Sequence, residues 1–223
     1  MSSKTAVPDR TMKLYTYFRS SAAFRARIAL NLKGLKAELV FVHLRKGEQG
    51  SEQYRAVNPQ AVVPTLVDNG HVIGQSLAII EYLDETHPHP PLLPADALGR
   101  ARVRQIAYAV ACDIHPFGNT RVQHYLRDTL GHSEEEILVW YRHWMALGFA
   151  AIETLTAQSA QSGKFCHGDQ PSLADVCLIP QMANARRSEL DLTPYPTLLR
   201  IEKTAYELAA FSDAAPKNQP DAE

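Results

Sequence analysis

Tyr17-Phe18-Arg19-Ser20-Ser21-Ala22-Ala23-Phe24-Arg25-Ala26-Arg27-Ile28-Ala29-Leu30 reads as the end of a strand, a polar turn and the opening of a helix. Upstream, Met12 to Tyr17 is rich enough in aromatic and β-branched residues for a short strand. Downstream, Phe24, Ile28 and Leu32 recur every four residues on one helical face, and Gly34 supplies a stop. Ser20 or Ser21 therefore falls where backbone N–H groups lack intrahelical acceptors and the helix carries its positive end. A hydroxyl in that field suits a helix cap, a bound anion such as a thiolate, or both.

The pattern continues as alternating strand and helix. Glu38 to Leu44 is apolar enough to be a buried strand, and Arg45 to Arg55 is a polar segment with loop character at Lys46 to Gly50. Pro64 stands directly before Thr65-Leu66-Val67, a place for a strand's first residue and a candidate cis peptide. Asp68-Asn69-Gly70 is a strong hairpin turn into His71–Ile73. Gln75-Ser76 then opens an amphipathic helix through Leu83, with Ser76 expected as its cap. His87 to Pro94 is proline-rich and reads as a linker.

Beyond the linker the period is helical throughout. Arg100 to Leu130 is a long helical pattern interrupted at Pro116. Ser133-x-x-Glu136 is a capping box opening a helix to about Gln158, with Trp140, Trp144 and Leu147 expected in the core. Ser172-x-x-Asp175 is a second box whose role reads as structural. Pro194-Tyr195-Pro196 precedes a last helix, and residues 216–223 form a polar tail.

Composition narrows the function. With 223 residues and 45% hydrophobic content the chain can bury a sizeable core in one large or two modest domains. A net charge of −1 offers no footprint for nucleic acid, and no apolar run is long enough for a membrane span. Residues 1–11 are polar, without an apolar signal core, so a cytoplasmic location is expected. Cys112, Cys166 and Cys177 form no CxxC, and the nine histidines show no metal-binding spacing.

Three features converge in the first half: a serine at a helix start, Val63 before a proline and a strand, and Gln75-Ser76 at another helix start. In a thioredoxin-like sheet these loops crowd one end. An extended peptide can pair with the backbone before a cis-proline, and a helix start offers donors to a carboxylate. A short acidic peptide bearing a thiol, glutathione, fits that set.

The chain resembles the zeta-class glutathione transferases, the family of the maleylacetoacetate and maleylpyruvate isomerases. The resemblance rests on Tyr17 to Leu30, Asn58-Pro59, Val63-Pro64-Thr65-Leu66 and Gln75 to Leu83. In the second half it rests on Leu92-Leu93-Pro94, Asp113-Ile114-His115-Pro116, Gly168-Asp169, Ala174-Asp175 and Asp191 to Pro196. It implies an α+β thioredoxin-like N-terminal domain over 12–88, an all-α C-terminal domain over 95–215 and a homodimer; by composition the termini at 1–11 and 216–223 are expected to be flexible. The family's Ser-Ser-Cys turn aligns with Ser20-Ser21-Ala22, so this chain has no cysteine there and the sulfur must be glutathione's own. Ser20, with Ser21 assisting, is the implied catalytic pair. Gln49, Val63, Gln75, Ser76, His115 and Asn119 join them as implied glutathione contacts. Arg19, Arg121 and Arg187 are the implied substrate-binding arginines, and Arg25 and Arg27 are left as structural.

The expected activity is glutathione-dependent cis–trans isomerisation of a diketo acid, maleylacetoacetate or maleylpyruvate. A general transferase or dehalogenase of small α-halo acids would need the same thiolate but no arginine cage. A non-catalytic scaffold on the same fold is the remaining alternative, opposed by the intact Ser20, Val63, Gln75 and Ser76.

Overall fold

The computed structural model describes residues 12–223. The expected flexibility of residues 1–11 falls outside that range. The chain divides into two compact units, one running to His87 and taking in Ala214–Glu223, the other Pro88–Asp213.

In the first unit β1 (Lys13–Thr16), β2 (Glu38–Phe41), β3 (Thr65–Asp68) and β4 (His71–Gly74) form one sheet in the order β2-β1-β3-β4. β1 pairs parallel to β2 and antiparallel to β3. The helix α1 (Ser21–Leu32) is the crossover between β1 and β2, as a parallel pair requires. It packs against α3 (Ser76–Thr86). Leu14, Phe24, Ile28, Leu66, Ile79 and Leu83 fill the space between sheet and helices and are essentially inaccessible to solvent. The β3–β4 hairpin turns through Asn69 at φ 49° and Gly70 at φ 82°, the left-handed pair that suits the strand twist.

Four expectations need correction in this unit. β2 is an edge strand with Phe41 42% exposed, since β1 covers one side of it only. The polar segment after it contains a helix, α2 (Glu52–Val57), capped by Ser51 and anchored by buried Tyr54. Ser76 is the first residue of α3 rather than its cap; Gln75 holds the cap position at φ 67° and makes no capping bond. The C-terminal segment is not a loose tail. Pro216–Asn218 forms a 3-10 turn, Gln219 is buried, and Asp221 accepts a hydrogen bond from the Phe18 N–H at 2.9 Å.

The second unit is helical, with α4 (Ala97–Tyr108), α5 (Thr120–His124), α6 (Glu134–Ala157), α7 (Leu173–Arg187), α8 (Pro196–Tyr206) and α9 (Ala209–Ser212). After α4 the chain widens into a π-helical turn over Ala109–Ile114, then tightens into a 3-10 turn over His115–Gly118. Pro116, which lacks an N–H, sits at that break as expected. Almost every residue of α7 is buried, making it the unit's central helix. Asp175 in its first turn accepts from the Ser172 N–H at 2.9 Å, the Ser172 hydroxyl at 2.8 Å and the Cys166 N–H at 2.8 Å. Burial pushes its carboxyl pKa up despite those donors.

Ser133 and Glu136 form the expected capping box of α6. Its buried face is Ile137, Tyr141, Met145, Phe149 and Ile152, not the expected Trp140-Trp144-Leu147 stripe. Leu147 is 53% exposed. Trp144 stacks on Phe117 at 4.2 Å, and the Trp140 indole N–H donates to Phe117 O at 3.0 Å. The two tryptophans thus brace the turn after Pro116 from a half-buried position. Among the described residues no helix is long and apolar enough to cross a membrane.

Candidate active site

Strand register brings the candidate loops of the first unit together. Tyr15 pairs with Thr65, and Thr65 pairs with Gly74. The turn after β1, the Val63-Pro64 peptide before β3 and Gln75-Ser76 after β4 therefore leave the sheet at one end. Thr16 pairs with Phe41, so the segment from Val42 through Gln49 leaves there too. Tyr17, Phe18, Ala23, Val42, Tyr54 and Val63 close into one buried cluster under these loops. Apolar burial thus helps to hold them in register.

Within the turn, the Ser20 N–H donates to Tyr17 O at 3.0 Å and the Phe24 N–H donates to Ser20 O at 2.8 Å. Ser20 caps α1, its Oγ accepting from the Ala23 N–H at 3.2 Å. The cap uses the oxygen as acceptor, so the hydroxyl proton stays available to a partner outside the chain. Ser20 is half-buried, whereas Ser21, the first helical residue, is buried. Arg19 is half-buried beside it, and its guanidinium makes no hydrogen bond or ion pair among the described residues.

The Val63–Pro64 bond is cis, as the sequence suggested. The loop before it is organised by Asn58, 4% exposed, whose Nδ2 donates to Val62 O and to Thr65 Oγ1, each at 2.9 Å. The Tyr54 hydroxyl donates to Val62 O at 2.6 Å, and burial raises its pKa. With Val62 O doubly satisfied, the next peptide is the one left over: the Val63 main chain has no hydrogen bond among the described residues. Gln75 Nε2 donates to Gln60 Oε1 at 2.8 Å, joining the start of α3 to this loop. Arg25, itself buried, donates from Nη1 to Ser76 Oγ at 3.3 Å. Gln49 lies in the 3-10 turn Glu48–Gly50, and its Oε1 is shut away from solvent with no donor among the described residues.

Ser20, Ser21, Arg19, Gln49, Val63, Gln75 and Ser76 thus share one end of the sheet. Four of the seven (Ser20, Gln49, Val63 and Arg19) present a polar group that the described residues leave without a partner. The remaining candidates belong to the second unit. His115 opens the 3-10 turn, Asn119 caps α5 by accepting from the Arg121 N–H at 3.1 Å, and Arg121 is exposed on α5. Arg187 ends α7 and donates to Asn184 Oδ1 at 2.8 Å. Sequence reasoning missed Tyr54 and Gln60 as supports and did not foresee what Asn58 does. Asn58-Pro59-Gln60 carried the signal, since an asparagine side chain commonly bonds the backbone two residues on, as the Gln60 N–H donates to Asn58 Oδ1 here at 3.0 Å.

The sequence matches two family models, the glutathione S-transferase N-terminal domain over residues 10–85 and the glutathione S-transferase C-terminal domain over residues 139–216. It is 49% identical over 210 residues to a maleylpyruvate isomerase of Ralstonia sp., covering 94% of this chain and 99% of that one. Its fold is similar to a holo structure of a maleylpyruvate isomerase described as a bacterial zeta-class glutathione transferase. That likeness has a TM-score of 0.92 and 48% identity, covering 95% of this chain and 100% of the other. It is also similar to maleylacetoacetate isomerase of Anaeromyxobacter dehalogenans 2CP-1 with glutathione bound in the active site. There the TM-score is 0.87 and the identity 45%, covering 96% and 99% of the two chains.

Proposed function

The chain belongs to the zeta class of glutathione transferases, and on that premise we propose that it isomerises a cis diketo acid, maleylacetoacetate or maleylpyruvate, to the trans form with glutathione as cofactor. The observation that carries the reading is the Ser20 hydroxyl, committed as acceptor to the cap of α1 and donating to none of the described residues.

The residues of the first unit fit glutathione. The Val63 main chain offers an N–H and a C=O to an extended peptide. Gln49 Oε1 is a buried acceptor awaiting an N–H, and a buried acceptor without one costs about 1–3 kcal/mol. Gln75 and Ser76, at the amino end of α3, suit the γ-glutamyl carboxylate. We assign His115 and Asn119 to the same cofactor from the family resemblance. When bound, glutathione would supply a thiolate whose addition makes the cis double bond a single bond that can rotate, and whose elimination restores the double bond in the trans form and regenerates the cofactor.

The protein's part is to keep that sulfur ionised. A free thiol has a pKa of about 8.5, and lowering it by one unit takes about 1.36 kcal/mol of preference for the thiolate. A hydrogen bond from Ser20 to a charged acceptor contributes about 1.5–3 kcal/mol, and the amino end of α1 about 0.3–1 kcal/mol. The Ala23 N–H, by donating to Ser20 Oγ, polarises the hydroxyl and makes it a better donor. Together these amount to about one to three units, which brings the thiol pKa to neutral pH or below and favours the thiolate. Ser21, buried at the first helical position, is assigned the assisting role beside Ser20.

From the same resemblance we assign Arg19, Arg121 and Arg187 to the substrate's two carboxylates and to the oxygen that gains charge during addition. Guanidinium suits planar, bidentate carboxylate binding, and it stays charged. We place the enzyme in the cytoplasm: no disulfide links its three cysteines, and its cofactor must be reduced. We also assign it a homodimeric state from the family resemblance.

The test is ultraviolet loss of maleylpyruvate and of maleylacetoacetate, each with and without glutathione. A glutathione-dependent rate on one or both is expected, and none on either would reject the proposal.

A further inference from the structure

We propose that Asp221, near the C-terminus, is a positioning residue that sets the Tyr17–Ser20 turn and thereby the aim of the Ser20 hydroxyl. This rests on the role given to Ser20 above.

The turn is held from two sides. On its carbonyl side Arg27, 4% exposed, donates to Tyr17 O at 3.3 Å and to Phe18 O at 3.1 Å, and its Nη1 also reaches Thr16 Oγ1 at 3.0 Å. On its amide side the Phe18 N–H donates to Asp221 Oδ2 at 2.9 Å, across 203 residues of sequence. The same Arg27 donates from Nε to Ala214 O at 3.0 Å, so one guanidinium grips both the turn and the start of the C-terminal segment. The far end of that segment is pinned where Glu223 Oε1 meets His43 Nε2 at 2.6 Å.

Tyr17 O, which Arg27 holds, is also the acceptor for the Ser20 N–H. Phe18 is 6% exposed, so without Asp221 its amide would lose its acceptor in a place water reaches poorly. The chain from Asp221 to Ser20 is therefore two peptide units long and hydrogen-bonded at each step.

Charge argues the same way. A carboxylate close to a site meant for a thiolate opposes ionisation of the sulfur. A purely electrostatic role would thus place a neutral residue here, while a geometric role requires only an acceptor at this spot, with Arg27 offsetting the charge. Asp221→Asn keeps an acceptor and drops the charge; Asp221→Ala drops both.

The experiment measures amide exchange at Phe18, the glutathione-induced rise in melting temperature, and kcat and KM of the full-length protein. For Asp221→Ala we expect Phe18 protection to fall about tenfold and kcat to fall about tenfold, with KM for the keto acid within about twofold. Asp221→Asn should stay within about twofold of wild type on every reading. The proposal is overturned if Asp221→Ala keeps wild-type kcat, whether or not Phe18 protection is lost. It is overturned equally if the two variants lose activity alike. Should the wild type turn over neither keto acid, the assigned reaction would fall instead. In that case, Phe18 protection and a glutathione-induced melting shift both at the wild-type level in Asp221→Ala would overturn the role of Asp221, and a loss of both, restored in Asp221→Asn, would support it.

Discussion

Asn58 Nδ2 donates to Val62 O and Thr65 Oγ1, both at 2.9 Å, and so fixes the two residues that flank Val63-Pro64. One buried amide thus shapes the loop to which we assign the glutathione backbone. Asn58→Ala should strand Val62 O and Thr65 Oγ1 in part, Tyr54 remaining as their other partner. The expected cost is about 1–3 kcal/mol in urea unfolding, with KM for glutathione raised about tenfold. Unchanged KM alongside lost stability would separate the loop from the cofactor.

Gly148 lies on α6 where a Cβ would stand 2.2 Å from Ile114 Cδ1 and 2.3 Å from its Cγ1. Ile114 is fully buried in the π-helical turn. Alanine favours a helix over glycine by about 1 kcal/mol, while overpacking a core costs about 1–3 kcal/mol. Gly148→Ala should therefore lower the melting temperature, and a rise would show that the turn yields.

Tyr206 on α8 has its pKa pushed up to about 12, by burial first and by the Glu202 carboxylate second. The folded state holds the phenol proton where the unfolded chain, with a pKa of about 10, gives it up. This contribution is complete below about pH 10 and is lost as pH rises towards about 12. Urea midpoints of the wild type should fall across that window more steeply than those of Tyr206→Phe. Parallel curves would contradict the assignment.

Arg121→Ala and Arg187→Ala should each raise KM for the keto acid about tenfold, the worth of one charge-assisted hydrogen bond, without changing KM for glutathione. Steady-state kinetics with each substrate varied in turn makes the separation. Intact turnover of an α-halo acid by both variants, with isomerisation lost, would place the arginines on the second carboxylate specifically.

Much of this was legible in the sequence where one local signal had one physical meaning. The Ser20 cap, the Asn69-Gly70 hairpin, the Ser133–Glu136 box and the Pro116 break are of that kind. The misreadings arose where tertiary packing chose among equal local options. Ile137 to Tyr141 is apolar at nearly every position, so periodicity alone left the buried face of α6 one residue out of phase. α2 escaped notice because Tyr54 is its single buried side chain. Ser76 is a good cap by type, but its Oγ accepts from Arg25, a partner 51 residues away. The C-terminal segment is polar because it is held by hydrogen bonds to Phe18 and His43, not by a buried apolar stripe.

The claim on which the rest depends is that a hydroxyl at the amino end of α1 keeps the glutathione sulfur ionised. It is tested most directly by the pH dependence of glutathione-dependent isomerisation in wild type, Ser20→Ala and the Ser20→Ala/Ser21→Ala double variant. The account predicts that the acid limb of the profile moves up by about one to two pH units in both variants, with activity at neutral pH reduced about ten- to hundredfold. A double variant with the wild-type profile and rate would contradict it.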